Sequence, residues 1–153
     1  MQDTFHITHK NREAIVNLSK TLSLDELNTI PKGFNNNILW NMGHMVAVQQ
    51  LLVYGLSKTP YKVDQWIIDN FKNKSKPEKP YTLAEYDNVV NAMLNTILQM
   101  EADYSDKVFG PVTPFISKSL NTTIDTLEGI IKFNSFHEGL HTGVIQKYVQ
   151  LIK

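Results

Sequence analysis

The chain has 153 residues, the size of a single domain with a sizeable hydrophobic core. Its 15 acidic and 15 basic residues balance, which argues against a nucleic-acid binder that works by neutralising phosphates. Cysteine is absent, which excludes disulfides, thiolate metal ligands and a cysteine nucleophile, so any metal has to be bound by histidine or carboxylate side chains.

Apolar segments long enough for a membrane span are missing, because none approaches the roughly 20 residues that cross a bilayer. Residues 1–10 are polar and lack the apolar centre of a signal peptide. We therefore expect one domain over residues 1–153, located in the cytoplasm, that binds neither membranes nor nucleic acid.

A first helix is predicted over residues 4–22, which contain neither glycine nor proline and carry a broken apolar stripe. His6 and His9 lie on this helix, and we interpret both as partly exposed polar positions. A helical turn is predicted at residues 23–27. Proline, glycine and asparagine then predict a loop at residues 31–37.

A second helix is predicted to begin after Asn37, which suits an N-cap, and to end near Leu56. Its strongly apolar sequence indicates a central position in the fold. His44 shares the predicted buried face with Trp40 and Val48. A lone histidine there is commonly a hydrogen-bonded core residue, but a two-histidine site elsewhere that lacks a third ligand makes it a candidate ligand.

The middle of the chain predicts one short helix and one long helix. The short helix is expected at residues 63–71, followed by a polar, proline-bearing surface connection at residues 73–80. Thr82 and Glu85 have the spacing of a capping box, which predicts the start of a third helix that ends near Ser105.

Residues 108–120 contain one glycine and two prolines and predict a loop that can include short extended segments, with nothing to support a sheet. Thr122 or Thr123 is then expected to cap the last helix. The prediction is an all-α protein, a four-helix bundle with one or two long crossover connections.

The last helix carries His137 and His141, whose spacing of four residues places the two imidazoles one turn apart on one face. Apolar residues on the same face predict that both rings point into the protein: Phe133, Leu140, Val144, Tyr148 and Leu151. Two histidines at this spacing can chelate one divalent metal from a single helix. Two hydrogen-bonded core histidines are the alternative.

A catalytic site of the zinc type has three protein ligands and an open position for water. We predict that His44 supplies the third ligand to His137 and His141, with His9 as the reserve candidate. Imidazole and water favour Zn, Ni, Fe or Cu over Ca or Mg, and we expect a divalent Zn, Ni or Fe ion.

Residues 137–141 also match the H-E-x-x-H motif of zinc proteases, in which the glutamate is the general base. Two observations argue against a protease. Only 12 residues follow His141 in which to find a third ligand downstream, and no strand is predicted that would bind an extended peptide. Glu138 stays a candidate catalytic base or a hydrogen-bond partner of a ligand histidine, with a carboxylate near solvent as the alternative.

Three segments carry a resemblance to a known family. Residues 38–45, an apolar run that ends in Gly-His, resemble the second-helix signature of DinB-like proteins. Residues 137–143 are similar to the C-terminal pattern of that family, in which a glycine follows two histidines. Residues 23–28, before a Pro-Gly loop, resemble the family's first connection.

The resemblance implies an up-down-down-up four-helix bundle and a divalent metal on three histidines, which correspond here to His44, His137 and His141. It also implies a homodimer and an activity like that of metal-dependent transferases and isomerases that use low-molecular-weight thiols. Val144 departs from the family pattern, because many members have glutamine there, which weakens the assignment of a substrate.

Two functions are compatible with these residues. A metal on three neutral imidazoles would lower the pKa of a bound thiol or water, which predicts a low-molecular-weight thiol transferase or a hydrolase. The alternative is a non-catalytic, metal-binding or structural module in a dimer. An open pocket with aromatic walls beside the metal would favour the enzyme, and an inaccessible metal would favour the module.

Overall fold

The structure is a computed structural model that describes residues 1–153. It is mostly helical, as the all-α prediction required. The elements in chain order are α1 (Gln2–Ser19), α2 (Leu24–Asn28), α3 (Ile38–Gln49), α4 (Gln65–Phe71), α5 (Leu83–Ser105), β1 (Phe115–Ser117), β2 (Thr122–Ile124) and α6 (Leu127–Ile152). None of the helices combines the length and the apolar character that a membrane crossing requires.

Helix α3 is the central element, because all 12 of its residues are buried. Asn37 caps it as predicted, since its side-chain oxygen accepts a hydrogen bond of 2.7 Å from the backbone N–H of Trp40. The helix continues without interruption as a π-helical segment, Gln50–Gly55, so the predicted end near Leu56 is confirmed. A wide helical turn of this kind is uncommon and is frequently found near functional sites.

The four long helices, α1, α3, α5 and α6, pack against one another in pairs. Helix α3 contacts α5 and α6, and α1 contacts the same two helices. The short helix α4 packs against α3 and makes no comparable contact with any other helix. Each long helix therefore has two long neighbours, and the apolar side chains between them form the core.

The predicted start and end of α5 are confirmed. The Thr82 hydroxyl accepts a hydrogen bond of 3.3 Å from the backbone N–H of Glu85, and the Glu85 carboxylate accepts one of 2.7 Å from the backbone N–H of Thr82. The helix ends at Ser105. Helix α1 is shorter at its C-terminus than predicted, since it ends at Ser19 rather than at residue 22.

The segment before α6 corrects the sequence prediction. Strands β1 and β2 form an antiparallel hairpin in which Phe115 pairs with Ile124, where a loop without a sheet was expected. Thr122 and Thr123 consequently lie in a strand, and Thr126 caps α6 instead. The β-branched residues 122–124 favour a strand, but the glycine and the prolines upstream of them favoured the loop prediction.

Candidate metal centre

The structure brings together the three histidines that the sequence singled out. His44 comes from α3, and His137 and His141 come from α6. One ring nitrogen from each histidine lies within 4.8 Å of the other two. The ring centroids are 5.2 Å apart for His44 and His137, 4.7 Å for His44 and His141, and 4.5 Å for the α6 pair. We call this group the histidine cluster.

His9, the reserve candidate, lies outside the histidine cluster. Its Nε2 is 3.7 Å from a carboxylate oxygen of Glu13, one turn further along α1. His44 is therefore the residue that the fold places beside the α6 pair. A lone histidine on α3 and a pair on α6 become neighbours because α3 and α6 pack against each other.

The end of α4 holds the ring of His44 in place. The Nδ1 atom of His44 is 2.6 Å from the backbone carbonyl oxygen of Phe71, the last residue of α4. Carbonyl groups at a helix C-terminus have no partner within the helix, so this one is free to accept a hydrogen bond. Because a carbonyl can only accept, Nδ1 carries the proton and Nε2 keeps its lone pair.

Asn41 holds the ring of His141 in the same way. Its side-chain Nδ2 donates a hydrogen bond of 2.8 Å to the carbonyl oxygen of Asn37, which sets the orientation of the amide. The amide oxygen then lies 2.8 Å from Nδ1 of His141 and accepts a hydrogen bond from it. The Nε2 lone pair of His141 is thus also available.

His137 supplies the observation that tests whether a metal fits. Its Nδ1 is buried and has no hydrogen-bond partner in the protein. A buried polar atom without a partner costs about 1–3 kcal/mol, so such atoms are rare unless something else satisfies them. A cation coordinated by this nitrogen would satisfy it, and three unprotonated imidazoles are a donor set that fits a divalent metal ion.

Burial keeps all three rings neutral. Desolvation is the largest cause in each case, and it lowers the pKa of His137 to about 3 and of His141 to about 4. Repulsion between the protonated rings acts in the same direction for both. The pKa of His44 is lowered by desolvation as well, although its hydrogen bond to Phe71 opposes the shift. Near neutral pH the cluster therefore presents unprotonated imidazoles, the form that binds metals.

Trp40 adds a second restraint on His44. The two rings stack with centroids 4.5 Å apart and an interplanar angle of 14°. The indole Nε1–H donates a hydrogen bond of 3.0 Å to the hydroxyl of Ser75, which holds the indole over the imidazole. His44 is thus positioned by a hydrogen bond at its edge and by an aromatic face.

Glu138, the candidate catalytic base, lies in a buried ion pair with Arg12. Arginine Nε and Nη2 donate hydrogen bonds of 2.8 and 2.7 Å to the two carboxylate oxygens, and Asn134 donates a third of 2.7 Å. The carboxylate is only 1% exposed, so the alternative of a position near solvent is wrong. It makes no hydrogen bond to the histidine cluster. Its role as a base stays a prediction, and its contacts are those of a structural ion pair.

Arg12 is a buried residue that the sequence analysis missed. Besides Glu138 on α6, it donates hydrogen bonds to Thr96 on α5 at 2.8 Å and to Gln49 on α3 at 3.2 Å. It is the single arginine among the 15 basic residues of the chain. The use of arginine at this one position is the feature of the sequence that could have indicated a buried ion pair, because arginine is preferred to lysine in buried, bidentate pairs.

The buried face of α6 differs from the predicted apolar face. Leu140 and Leu151 are 54% and 49% exposed, so their predicted burial is wrong. The buried positions are Ile130, Ile131, Asn134, Glu138, Ile145 and Tyr148. Glu138 is buried on this face because Arg12 pairs with it, and the Asn134 amide donates a hydrogen bond to the same carboxylate. An apolar pattern alone cannot indicate such partners.

A cavity of about 390 Å³ lies against the histidine cluster. His137 is the cluster residue on its wall, and the remainder of the lining comes from α3 and its π-helical extension, β1 and the turn after it, the start of α6 and Asn73. A slightly larger cleft of about 410 Å³, between α5 and residues 61–67, contains none of the three histidines. The chemistry of the walls, rather than size, therefore identifies the relevant cavity.

Comparison with known proteins identifies the family of the chain. The DinB superfamily matches residues 7–145, a range that contains the whole histidine cluster, its partners Asn41 and Phe71, and the ion pair of Arg12 and Glu138. A search of curated proteins gave no match. On the extent of the family match, the chain belongs to the DinB superfamily.

Proposed function

We propose that His44, His137 and His141 bind one divalent metal ion and that the protein is a metal-dependent enzyme acting on a small molecule. The observation that carries the proposal is the convergence of three neutral imidazoles whose ligand atoms lie within 4.8 Å of one another. Hydrogen bonds to Phe71 and Asn41 leave Nε2 free on two of them. Three histidine ligands are typical of a catalytic metal site with an open position.

The proposal includes the up-down-down-up four-helix bundle as the scaffold, formed by α1, α3, α5 and α6. The pairwise packing of these helices in a closed ring supports it. The connection from the end of α3 to α5 spans residues 56–82 and includes α4, which is long enough to let two successive helices run parallel. This connection also places the Phe71 carbonyl within hydrogen-bond distance of His44 Nδ1.

A bound divalent ion would supply Lewis acidity that lowers the pKa of a thiol or a water molecule. Transfer of a low-molecular-weight thiol and hydrolysis are the two reaction classes that follow. The contribution of this chain is positional: Asn41, Phe71 and Trp40 hold the imidazoles, and the cavity beside His137 admits the substrate. The thiol substrate, the homodimer and the choice among Zn, Ni and Fe stay predictions from the sequence.

The cavity favours an enzyme over a non-catalytic, metal-binding module. Phe115 and Phe133 line it, with ring centroids 5.1 Å apart, so the walls are aromatic and reach His137. A purely structural metal would need no such access. An assay of the metal-loaded protein with several thiols and a chromogenic electrophile separates the two. A rate no higher than that of the free metal would favour the module.

The metal site itself is tested by counting bound metal with elemental mass spectrometry. We expect one ion per chain in the wild type and a loss of most of it in His44→Ala, His137→Ala and His141→Ala. His6→Ala and His9→Ala are matched controls on α1, outside the histidine cluster, and should retain the ion. Full occupancy in all three cluster variants would refute the proposal.

A further inference from the structure

We propose that the cavity beside His137 binds a small molecule with an apolar body and one anionic group, and that Lys118 binds the anionic group. The inference rests on the proposed metal-dependent function, because it assigns a substrate class to the same site. Two features of the walls carry it: an apolar surface on one part and a single cationic side chain on another.

The apolar part of the wall comes from three elements that meet only in the folded protein. Val48 and Leu52 belong to α3 and its π-helical extension, Phe115 to β1, and Phe133 to α6. The two phenylalanine rings contact each other at a tilt of 52°. A volume of about 390 Å³ lies within the range of small-molecule sites, and such sites are lined mainly by apolar and aromatic side chains.

The charged part of the wall has one sign. Lys118 is the single charged residue that lines the cavity, and no carboxylate is present on the wall. Its ammonium group makes no ion pair with any residue of the chain, whereas three other lysines do. A divalent ion on the histidine cluster would add positive charge at the His137 end. A ligand with a carboxylate, sulfonate or phosphate group complements such a cavity.

The hairpin places both features on one short segment. Phe115 begins β1, and Lys118 follows the end of that strand at the turn into β2. Asn121 adopts a left-handed backbone conformation with φ of 47°, which asparagine tolerates better than most residues and which closes the turn. The Ser117 hydroxyl accepts a hydrogen bond of 3.3 Å from the backbone N–H of Leu120, which further orders the turn that carries Lys118.

The test uses two fluorescent probes that share one ring system. Anilinonaphthalene sulfonate carries an anionic group, and phenylnaphthylamine is its neutral counterpart. Both are titrated into the full-length protein, once without metal and once loaded with the ion that the wild type retains. We expect tighter binding of the sulfonate, and a sulfonate affinity that falls with ionic strength while that of the neutral probe does not.

Two variants separate the apolar and the charged parts. Lys118→Glu is expected to weaken sulfonate binding by about five- to tenfold, because an exposed ion pair is worth a few-fold in affinity and charge reversal replaces attraction by repulsion. Phenylnaphthylamine should bind this variant as it binds the wild type. Phe115→Ala should weaken both probes, and circular dichroism verifies that each variant is folded.

Lys147→Glu is the matched control, because Lys147 lies on α6 and does not line the cavity. This substitution changes the net charge by the same amount as Lys118→Glu. The inference is overturned if Lys118→Glu leaves sulfonate binding unchanged or weakens both probes alike. It is also overturned if Lys147→Glu has the same effect as Lys118→Glu, or if Phe115→Ala alters neither probe.

Metal content, measured on the same preparations, keeps the two proposals apart. Discrimination between the probes without stoichiometric metal would refute the proposed function and leave the ligand preference of the cavity standing. Stoichiometric metal without discrimination would refute only the substrate class.

Discussion

At the scale of single residues, the histidine cluster depends on partners that are not ligands. Asn41 accepts a hydrogen bond from His141, and its own amide is oriented by the carbonyl of Asn37. These two hydrogen bonds orient the His141 ring so that Nε2, rather than Nδ1, faces the histidine cluster. Partners of this kind raise metal affinity by fixing the orientation and the tautomer of the ligand ring.

Asn41→Leu is therefore expected to lower metal affinity by about 10- to 100-fold, because it removes the acceptor while keeping a side chain of similar size. Competition with a chromogenic chelator measures the dissociation constant. Asn95→Leu changes an exposed asparagine on α5 and serves as the control. Equal affinity of Asn41→Leu and the wild type would show that the hydrogen bond to His141 has no role in metal binding.

At the scale of helices, the packing of α4 against α3 determines the position of His44 in the histidine cluster. Gly43 lies beneath the ring of Phe71, and a Cβ atom at Gly43 would come within 2.5 Å of that ring. The same Phe71 provides the carbonyl that holds His44. The absence of a side chain at Gly43 thus sets the distance between the two helices at the point where the His44 ring is positioned.

We expect Gly43→Ala to destabilise the protein by about 1–3 kcal/mol, because the buried ring of Phe71 at the end of α4 has to move to admit the methyl group. Metal affinity should fall as well, since the Phe71 carbonyl moves with the ring. Urea unfolding and the chelator assay measure the two effects.

Gly143→Ala provides the matched control on α6, where an added Cβ would meet open space. The higher helix propensity of alanine should stabilise this variant by about 0.5–1 kcal/mol. If Gly43→Ala were as stable as the wild type, close packing of α4 on α3 would not be what positions His44.

At the scale of the whole molecule, Arg12 joins all four long helices. It lies on α1 and bonds to Gln49 on α3, to Thr96 and the Met93 carbonyl on α5, and to Glu138 on α6. Both members of the ion pair are almost completely buried. Removing one member leaves the other charge unpaired in the core, which is far more unfavourable than replacing both.

Glu138→Gln is consequently expected to destabilise the protein by about 3–5 kcal/mol, and the double variant Arg12→Met/Glu138→Leu by less than the sum of the single changes. Urea unfolding of the metal-free protein measures this. A catalytic base would behave differently: Glu138→Gln would then abolish turnover in an enzyme of unchanged stability and metal content.

Stability should also depend on pH through the histidine cluster. The pKa of His137 is about 3 and that of His141 about 4 in the folded protein, against about 6.5 in the unfolded chain. Between these values the unfolded state binds more protons, so the free energy of unfolding of the metal-free protein rises with pH. The free energy of unfolding is highest above about pH 6.5 and falls as the pH drops toward the folded-state pKa values of about 4 and about 3.

The change from His137 alone approaches about 1.4 kcal/mol per pH unit in this window. Urea unfolding at several pH values between 4 and 7 measures the slope, and His137→Phe should reduce it. An unchanged slope in that variant would mean that His137 is solvated in the folded protein.

Features that depend only on neighbouring residues could be predicted from the amino-acid sequence. Asn37 and Thr82 cap helices because their side chains reach backbone groups three residues away, and this holds in any tertiary context. The spacing of His137 and His141 likewise sets their common face, since helical geometry is local. The mostly helical fold class was predicted in the same way, from helical periodicity and caps.

Contacts between groups that are distant along the chain could not be predicted in this way. Three features depend on contacts between segments far apart in the chain. They are the hydrogen-bond acceptors for His44 and His141, the buried ion pair of Arg12 and Glu138, and the cavity wall that includes Phe115. Glu138, for example, is buried because Arg12 from another helix pairs with it. That partner follows from the packing of the helices, which no local pattern of hydrophobicity or capping encodes.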